Sequence, residues 1–254
     1  MIITDLPFSE YLARPCLSNS GIGKLLQSPA HFAFGDDSTS RAMNVGSIVH
    51  KLVLEPEKFD DEYHPCQLDR RTKEGKALAA ELEQSGRQPI TLADYDAARA
   101  MRDSIMSHPV AGELLSLPGD SEVSLFGEIS GVQMKGRADR ITANRSLIID
   151  LKTTSDGSQK ATQRSVMTYG YHRQEALYTS LMACNGHSTA FMFVSVETSR
   201  PYVVSVYELD AELVNRGMES VLDGIEIFKR CKESGRWPGY SDQVMRIASP
   251  SWMQ

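Results

Sequence analysis

The sequence predicts an α/β protein in which helices flank a mixed central β-sheet, preceded by a mainly helical N-terminal region. Two observations carry this prediction. Apolar residues recur at helical spacing through the first 110 residues, and from Glu122 the hydrophobic period becomes that of strands. The chain of 254 residues is long enough for one sizeable core. We therefore expect a single domain over 1–254, with a helical part at 1–115 and the sheet-containing core at 116–254.

Several helices are predicted in the N-terminal part. Ser18 or Asn19 can cap a helix that runs to Gln27 and stops before Pro29. Three further helices are predicted from about Arg41 to Leu54, in "TKEGKALAAELEQSG", and in "LADYDAARAMRDSIMSH" with Thr91 as its cap.

The core is predicted from its strand patterns and turns. A three-stranded meander is expected at Glu122–Ile129, Val132–Ile141 and Ser146–Lys152, with turns at Ser130-Gly131 and Asn144-Arg145. The elements expected after it are a helix at Tyr169–Met182, strands at Ala190–Glu197 and Tyr202–Glu208, and a helix at Ala211–Ser234 ending at Gly235.

Composition limits the class of protein. No apolar run approaches the ~20 residues of a membrane span, and the first residues lack the basic-then-apolar layout of a signal peptide. We expect a soluble, cytoplasmic protein that makes no membrane contact. Its net charge of −6 does not indicate a nucleic-acid binder, although one face of an acidic protein can still be basic.

The four cysteines are expected to be reduced thiols. They are scattered along the chain and form no C-x-x-C pair.

Charged residues at two neighbouring strands suggest a catalytic site. Asp150 and Lys152 flank Leu151, so their side chains project to the same side of a strand, and a hairpin partner can bring Asp139 beside them. Two carboxylates and an ammonium suit a hard divalent cation and a water that attacks a phosphodiester. A D-x-K triplet is usually a solvated salt bridge, but here it follows the apolar run 147–149, typical of a buried central strand.

The same segment resembles the nuclease core of the PD-(D/E)xK superfamily, in its RecB-like branch. The resemblance rests on "GRAD", "IIDLKTT" and a Q-x-x-x-Y motif at Gln174 and Tyr178. Other segments resemble exonuclease VIII (RecE-type) nuclease domains in the same order, and together they cover nearly the whole chain. They are "EYLARPCLSNSGIGKLLQSPAHF", "GSIVHKLVLEPEKF", "LDRRTKEGKA", "PYVVSVYELD" and "GRWPGY". The implied fold is a restriction-endonuclease-like core.

The resemblance implies a set of metal ligands. Asp139, Asp150 and the backbone carbonyl of Leu151 are the expected ligands, and His50 matches the family's early histidine, as a ligand or a neighbour of one. Glu122 matches the family's glutamate at the start of its strand. Glu128 lies on the same strand face by parity and competes for the role of third carboxylate.

Three further side chains are expected to take part in catalysis. Lys152 can orient the attacking water or stabilise the charge that builds on phosphorus. Gln174 and Tyr178 are four residues apart and share one helix face, so Gln174 can bond the scissile phosphate region or a metal-bound water. Tyr178 can do the same or simply pack.

Basic side chains supply the expected DNA contacts. A local excess of positive charge at "DRRTKEGK", a second set on a later segment, and the arginine of "GRAD" can each meet phosphates or simply be solvated. These residues are Arg70, Arg71, Lys73, Arg137, Lys160, Arg164 and Arg173.

The resemblance implies a Mg²⁺-dependent exodeoxyribonuclease, with Mn²⁺ as a substitute metal. Such an enzyme degrades one strand of linear double-stranded DNA from the 5′ end and leaves a 3′ overhang, which a single-strand-annealing protein of the RecT type uses for recombination. The resemblance also implies that the subunits assemble into a homo-oligomeric ring, a tetramer. It implies a phage or prophage origin and action in the cytoplasm of a bacterium or infected host. A structure-specific endonuclease and a DNA-binding module without catalysis are the alternatives.

Overall fold

The computed structural model describes residues 1–35, 45–67 and 71–249. The helices are α1 Phe8–Ala13, α2 Asn19–Gln27, α3 Pro29–Phe34, α4 Val45–Leu54, α5 Phe59–Glu62, α6 Lys73–Gln84, α7 Leu92–Ser107, α8 Pro109–Ser116, α9 Gln159–Tyr169, α10 Tyr171–Cys184 and α11 Ala211–Ser234. The strands are β1 Ile2–Ile3, β2 Leu17–Ser18, β3 Tyr63–Cys66, β4 Gln88–Thr91, β5 Gly119–Ile129, β6 Val132–Thr142, β7 Leu147–Thr154, β8 Ala190–Glu197 and β9 Val204–Tyr207.

A mixed sheet forms the centre of the molecule. Its strand order among the described residues is β1-β5-β6-β7-β8-β9, and β2 pairs with β6. β5, β6 and β7 form the predicted antiparallel meander, whereas β8 runs parallel to β7. Parallel neighbours need a long crossover connection, and here α9 and α10 provide it between β7 and β8. β3 and β4 form a separate two-stranded parallel sheet.

Helices cover both faces of this sheet, which confirms the predicted α/β architecture. On one face Leu177 of α10 and Ile225 of α11 pack with Ile148 of β7. On the other face Ile48 of α4 packs in a second core that includes Leu151 of β7. The side chains of successive β7 residues therefore pack alternately into the two cores, and the strand is covered on both sides. This agrees with its continuous apolar run, which predicts a strand covered on both faces.

Most predicted elements are confirmed. Ser18 caps α2 and accepts a hydrogen bond from the N–H of Gly21, and Thr91 caps α7 in the same way through Asp94. The last helix, α11, ends at Gly235 in a left-handed conformation. The predicted helix from about Arg41 is observed from Val45, and its predicted start lies outside the described residues.

The helix predicted at Tyr169–Met182 is instead the second of two helices. Gly170 adopts a left-handed φ of 70° between α9 and α10 and so separates them. α9 was not predicted, although Ser158 caps it by accepting from the N–H of Ala161. A glycine inside an apolar helical pattern marks a helix end here because only glycine adopts that φ without a steric penalty.

The N-terminal part also contributes strands that the sequence did not predict. β1 pairs with β5, and β2 pairs in parallel with β6. Each has two residues, too few to show a hydrophobic period. The buried Lys135 holds the helix between them, because its Nζ donates to the carbonyls of Tyr11, Leu12 and Arg14 at 2.7–3.0 Å.

No helix within the described ranges is long and apolar enough to span a membrane.

Glu175 of α10 is a buried carboxyl without a hydrogen-bond partner on its Oε2 atom. Burial, with a smaller contribution from the charge of Glu208, raises its pKa to about 8. The ionised form is therefore disfavoured in the folded protein. The pKa of Glu175 is higher in the folded than in the unfolded protein. The stability that its protonated form contributes is therefore complete below the unfolded pKa of about 4.5. It is lost as the pH rises towards 8.

We predict that Glu175→Gln stabilises the protein at alkaline pH relative to the wild type. Between pH 5 and pH 8.5 the free energy of unfolding of the variant should rise, relative to that of the wild type, by on the order of 3 kcal/mol. This follows because each pKa unit corresponds to about 1.4 kcal/mol. Urea unfolding at both pH values measures this difference. The same difference at both pH values would contradict a buried, proton-binding Glu175.

Gly136 lets α10 approach β6 closely. A Cβ at this position would lie 2.5 Å from Cε1 of Tyr178, so the aromatic ring rests where any side chain would be. The hydroxyl of Tyr178 accepts a hydrogen bond from the N–H of Arg137 at 3.3 Å. The glycine of the "GRAD" motif is therefore explained by packing.

We predict that Gly136→Ala destabilises the protein by about 1–3 kcal/mol, because over-packing forces the Tyr178 ring and α10 away from the sheet. Gly239→Ala is the matched control, since a Cβ there meets nothing within 4 Å. Chemical denaturation of both variants measures the effect. Equal stability of the two variants would show that Tyr178 moves aside without cost.

Candidate active site

The sheet opens between β6 and β7. Within the described residues these strands pair at two positions, one of them Arg140↔Ile149, and the same register would next place Asp139 opposite Asp150. There the ladder stops, and the N–H of Leu151 donates instead to Oδ2 of Asp139 at 2.8 Å. Further along that edge, Met134 and Lys135 of β6 pair with β2. The two carboxylates thus lie at the point where the strands separate.

Asp150, Lys152 and Gln174 form a closed set of contacts. Asp150 is 1% exposed, and its Oδ1 accepts from the amide of Gln174 at 2.6 Å. Its Oδ2 lies 2.5 Å from Nζ of Lys152. That oxygen makes no properly oriented hydrogen bond to any described residue. Lys152 also donates to Oε1 of Gln174 at 3.2 Å, so α10 fixes both charged groups on β7.

The electrostatics of this cluster show an excess of buried negative charge. Burial and the neighbouring Asp150 raise the pKa of Asp139 well above its ordinary value. Burial alone would lower the pKa of Lys152, but attraction to Asp150 and Asp139 outweighs it and raises that pKa. The ammonium therefore stays charged and offsets part of the carboxylate charge. Its Nζ also lies 4.9 Å from the ring centroid of Tyr171.

Glu122, rather than Glu128, is brought towards Asp139. The flanking pairs of the β5–β6 register place Glu122 opposite Asp139, and its charge contributes to the raised pKa of that residue. Glu122 has a φ of 54°, which is rare for a residue with a side chain and signals local strain. Its Oε2 accepts from Nε of Arg137 at 2.7 Å. Glu128 is exposed near the far end of the β5–β6 hairpin and accepts from Gln133.

His50 of α4 reaches the same cluster from the other face of the sheet. Its Nδ1 lies 3.6 Å from Oδ2 of Asp139. Burial and the positive charge of Lys152 lower its pKa to about 4. The imidazole is therefore neutral near pH 7, the form in which histidine binds metal ions.

Tyr178 is placed differently from Gln174, although both lie on one face of α10. The Tyr178 hydroxyl bonds the backbone of β6, and its ring packs on Gly136. Burial raises its pKa well above the ordinary value, so the phenol keeps its proton. In this arrangement Tyr178 supports the sheet, and Gln174 contacts the charged groups.

The donor set fits a hard divalent cation that keeps several waters. Mg²⁺ is commonly held by one or two carboxylates together with substrate phosphates, and the buried Oδ2 of Asp150, which here contacts Nζ of Lys152, is an oxygen donor of that kind. As the side chains stand, no three His, Cys, Asp or Glu groups of the described residues converge as a closed metal cage would require. Lys152 forms an ion pair with Asp150, and Arg137 forms one with Glu122. Both carboxylates are therefore paired with basic side chains in this structure.

The predicted DNA contacts fall into three groups. Arg70 lies outside the described residues. Four others are exposed: Arg71 and Lys73 at the start of α6, and Lys160 and Arg164 on α9. Two others make internal contacts instead. Arg137 bonds Glu122, the carbonyl of Leu6 and the hydroxyl of Ser124. The half-buried Arg173 donates to the side chain of Asn19 at 2.8 Å, and burial lowers its pKa.

The sequence did not indicate two residues that shape this site. Lys135 fixes α1 against the sheet, and Phe8 of α1 lines a cavity that Glu122 also lines. Lysine in a strand and phenylalanine in a short helix carry no local signal of such roles. The Leu6 carbonyl bonded by Arg137 is more than 120 residues away in the chain.

Comparison with known proteins identifies the family and the fold of this chain. Residues 18–250 match a family described as a PDDEXK-like domain of unknown function (DUF3799). The structure of a candidate exonuclease from Eubacterium rectale is similar over 98% of this chain and 97% of that chain, with a TM-score of 0.68 and 17% sequence identity. At this identity the likeness shows the fold alone.

A phage-related exonuclease from Haemophilus somnus aligns over 89% of this chain and 98% of its own, at 16% identity and a TM-score of 0.37, a score that supports no argument. No protein with a curated description matches the sequence. Because the family match spans nearly the whole chain and the fold is shared with the Eubacterium rectale protein, this chain belongs to the PDDEXK-like family and has its restriction-endonuclease-like fold.

Proposed function

We propose that this protein is a metal-dependent deoxyribonuclease that degrades linear double-stranded DNA from its ends. The observation that carries the proposal is the meeting of Asp139, Asp150 and Lys152 where β6 and β7 separate. Such a concentration of buried charge costs free energy and is typical of a functional site. The family membership and the fold shared with a candidate exonuclease add to this support.

Asp139, Asp150 and the Leu151 carbonyl would hold the cation, with neutral His50 and Glu122 beside them. When bound, a Mg²⁺ ion neutralises phosphate charge and makes a coordinated water more acidic. The Leu151 N–H fixes the direction of the Asp139 carboxylate, and the Gln174 amide does the same for Asp150. These bonds preorganise the oxygens, so little reorganisation is needed when substrate arrives.

Lys152 is the group placed to stabilise the reacting phosphate. Hydrolysis breaks one P–O bond as water attacks in line, and negative charge builds on the oxygens around phosphorus. A compact ammonium held beside the carboxylates can neutralise that charge or orient the water. Its contact with Gln174 keeps it in place when its contact with Asp150 is exchanged for one with phosphate.

The finer features of the proposal concern direction and assembly. We assign 5′-to-3′ degradation that leaves a 3′ overhang, with an annealing protein of the RecT type as the partner that uses it. A ring of subunits, a tetramer, is the proposed assembly. It is supported by the net charge of −6, because an acidic chain has little long-range attraction for DNA. Enclosing the duplex keeps the local DNA concentration high without a strongly basic surface.

An end-labelled linear duplex, compared with a covalently closed circle of the same sequence, tests the proposed activity. With Mg²⁺ the linear duplex should be degraded and the circle left intact, and EDTA should stop the reaction. A 5′ label should be released before a 3′ label. Cleavage of the circle would indicate an endonuclease, and binding without any cleavage would indicate a DNA-binding module.

Two variants test the residue assignment in the same assay. Asp150→Asn weakens the cation site and Lys152→Ala removes the positive charge, so each should lower the rate by about 10²–10³ or more. Asp223→Asn is the matched control, since that carboxylate is exposed on α11. Circular dichroism checks that the variants fold. Near-full turnover by either site variant at saturating Mg²⁺ would show that the site is wrongly placed.

A further inference from the structure

A cavity of about 640 Å³ lies beside the proposed active site. Glu122 and His50 line it beside the catalytic cluster, and Phe8 of α1 is also among its lining residues. Its volume falls within the range of about 300–1,000 Å³ that is usual for small-molecule pockets. The cavity is therefore large enough for part of a substrate that reaches the carboxylates.

The charges around this cavity do not favour a phosphate there. Four carboxylates and three cations are found among its described lining residues. Each cation is already paired: Lys51 with Glu55 at 2.7 Å, Lys58 with Glu55 at 2.5 Å, and Arg137 with Glu122 at 2.7 Å. An uncharged ligand with a flat apolar surface is a better match than an anion.

Phe8 offers such a surface. The residue is 58% exposed, so much of its apolar surface faces solvent. The Tyr11 ring stacks beside it, with centroids 6.0 Å apart and planes 16° apart. The guanidinium carbon of Arg137 lies 5.7 Å from the Phe8 centroid. Phe8 thus has neighbours that set its position, while more than half of the residue's surface stays exposed.

The segment that carries Phe8, residues 1–14, is firmly attached to the sheet. Ile2 pairs with Leu125 of β5, and Arg137 donates to the carbonyl of Leu6 at 2.9 Å. Lys135 donates to three carbonyls at the end of α1, those of Tyr11, Leu12 and Arg14. An aromatic ring fixed in advance loses little entropy when a flat partner stacks on it.

We propose that Phe8 is the stacking platform of a nucleobase subsite. It receives the unpaired base of the nucleotide next to the bond that is cut. The inference rests on the proposed nuclease function and deepens it, because a base held here positions its phosphate at Asp139, Asp150 and Lys152. Stacking on an aromatic ring tolerates any base sequence, as a non-specific exonuclease requires.

The subsite is tested by measuring how Phe8→Ala binds DNA ends. The variant is made in the Asp150→Asn background so that the DNA is not degraded. Each protein is titrated with two duplexes that differ only in whether the terminal 5′ nucleotide carries a base or is abasic. The protein with Phe8 should bind the end with the base more tightly, by about 5- to 100-fold in Kd. Phe8→Ala should bring this ratio close to one, and Phe8→Trp should restore it.

Leu12→Ala is the matched control. Leu12 lies one turn further along α1, is also 58% exposed and does not line the cavity, so its loss should leave the ratio unchanged. Because the ratio is taken within one protein, general weakening of the fold cancels. A preference that persists in Phe8→Ala overturns the subsite, while cleavage by the wild type still upholds the nuclease. If the wild type neither binds nor cleaves DNA ends, both the subsite and the proposed nuclease function are contradicted.

Discussion

The separation of β6 from β7 is the constraint on which the site depends. A continuous ladder would place Asp139 directly opposite Asp150, and like charges opposite each other destabilise a sheet. The strands instead diverge, the Asp139 carboxylate takes over the N–H of Leu151, and β2 pairs with the freed part of β6. The backbone is therefore satisfied around an opening that two carboxylates line.

Burying these charges is tolerated because neighbours compensate for them. Lys152 lies against Asp150, Gln174 bonds both, and Arg137 neutralises Glu122. A buried ion pair contributes little net stability, since its desolvation cost offsets its attraction. Under the proposed function its retention has a reason: the same ammonium that balances the carboxylates in the free protein would also face the phosphate of a substrate.

Local signals predicted much of the fold and part of the site. Ser18 and Thr91 as caps, Gly235 as a helix end and the alternation in β5 and β6 were all readable, as was the pairing of Asp150 with Lys152 on one strand face. The rest depends on contacts distant in sequence. The internal use of Arg137 and the attachment of residues 1–14 follow from tertiary packing, for which no short pattern exists.

Manganese binding, followed by the electron paramagnetic resonance signal of free Mn²⁺, tests the central claim most directly. The separated strands are expected to bind the ion through Asp139 and Asp150. Asp139→Asn and Asp150→Asn should each weaken binding by at least about tenfold, Asp223→Asn should not, and Mg²⁺ should displace the ion from the wild type. Unchanged affinity in both site variants would contradict the proposal that the opening between β6 and β7 is a metal site.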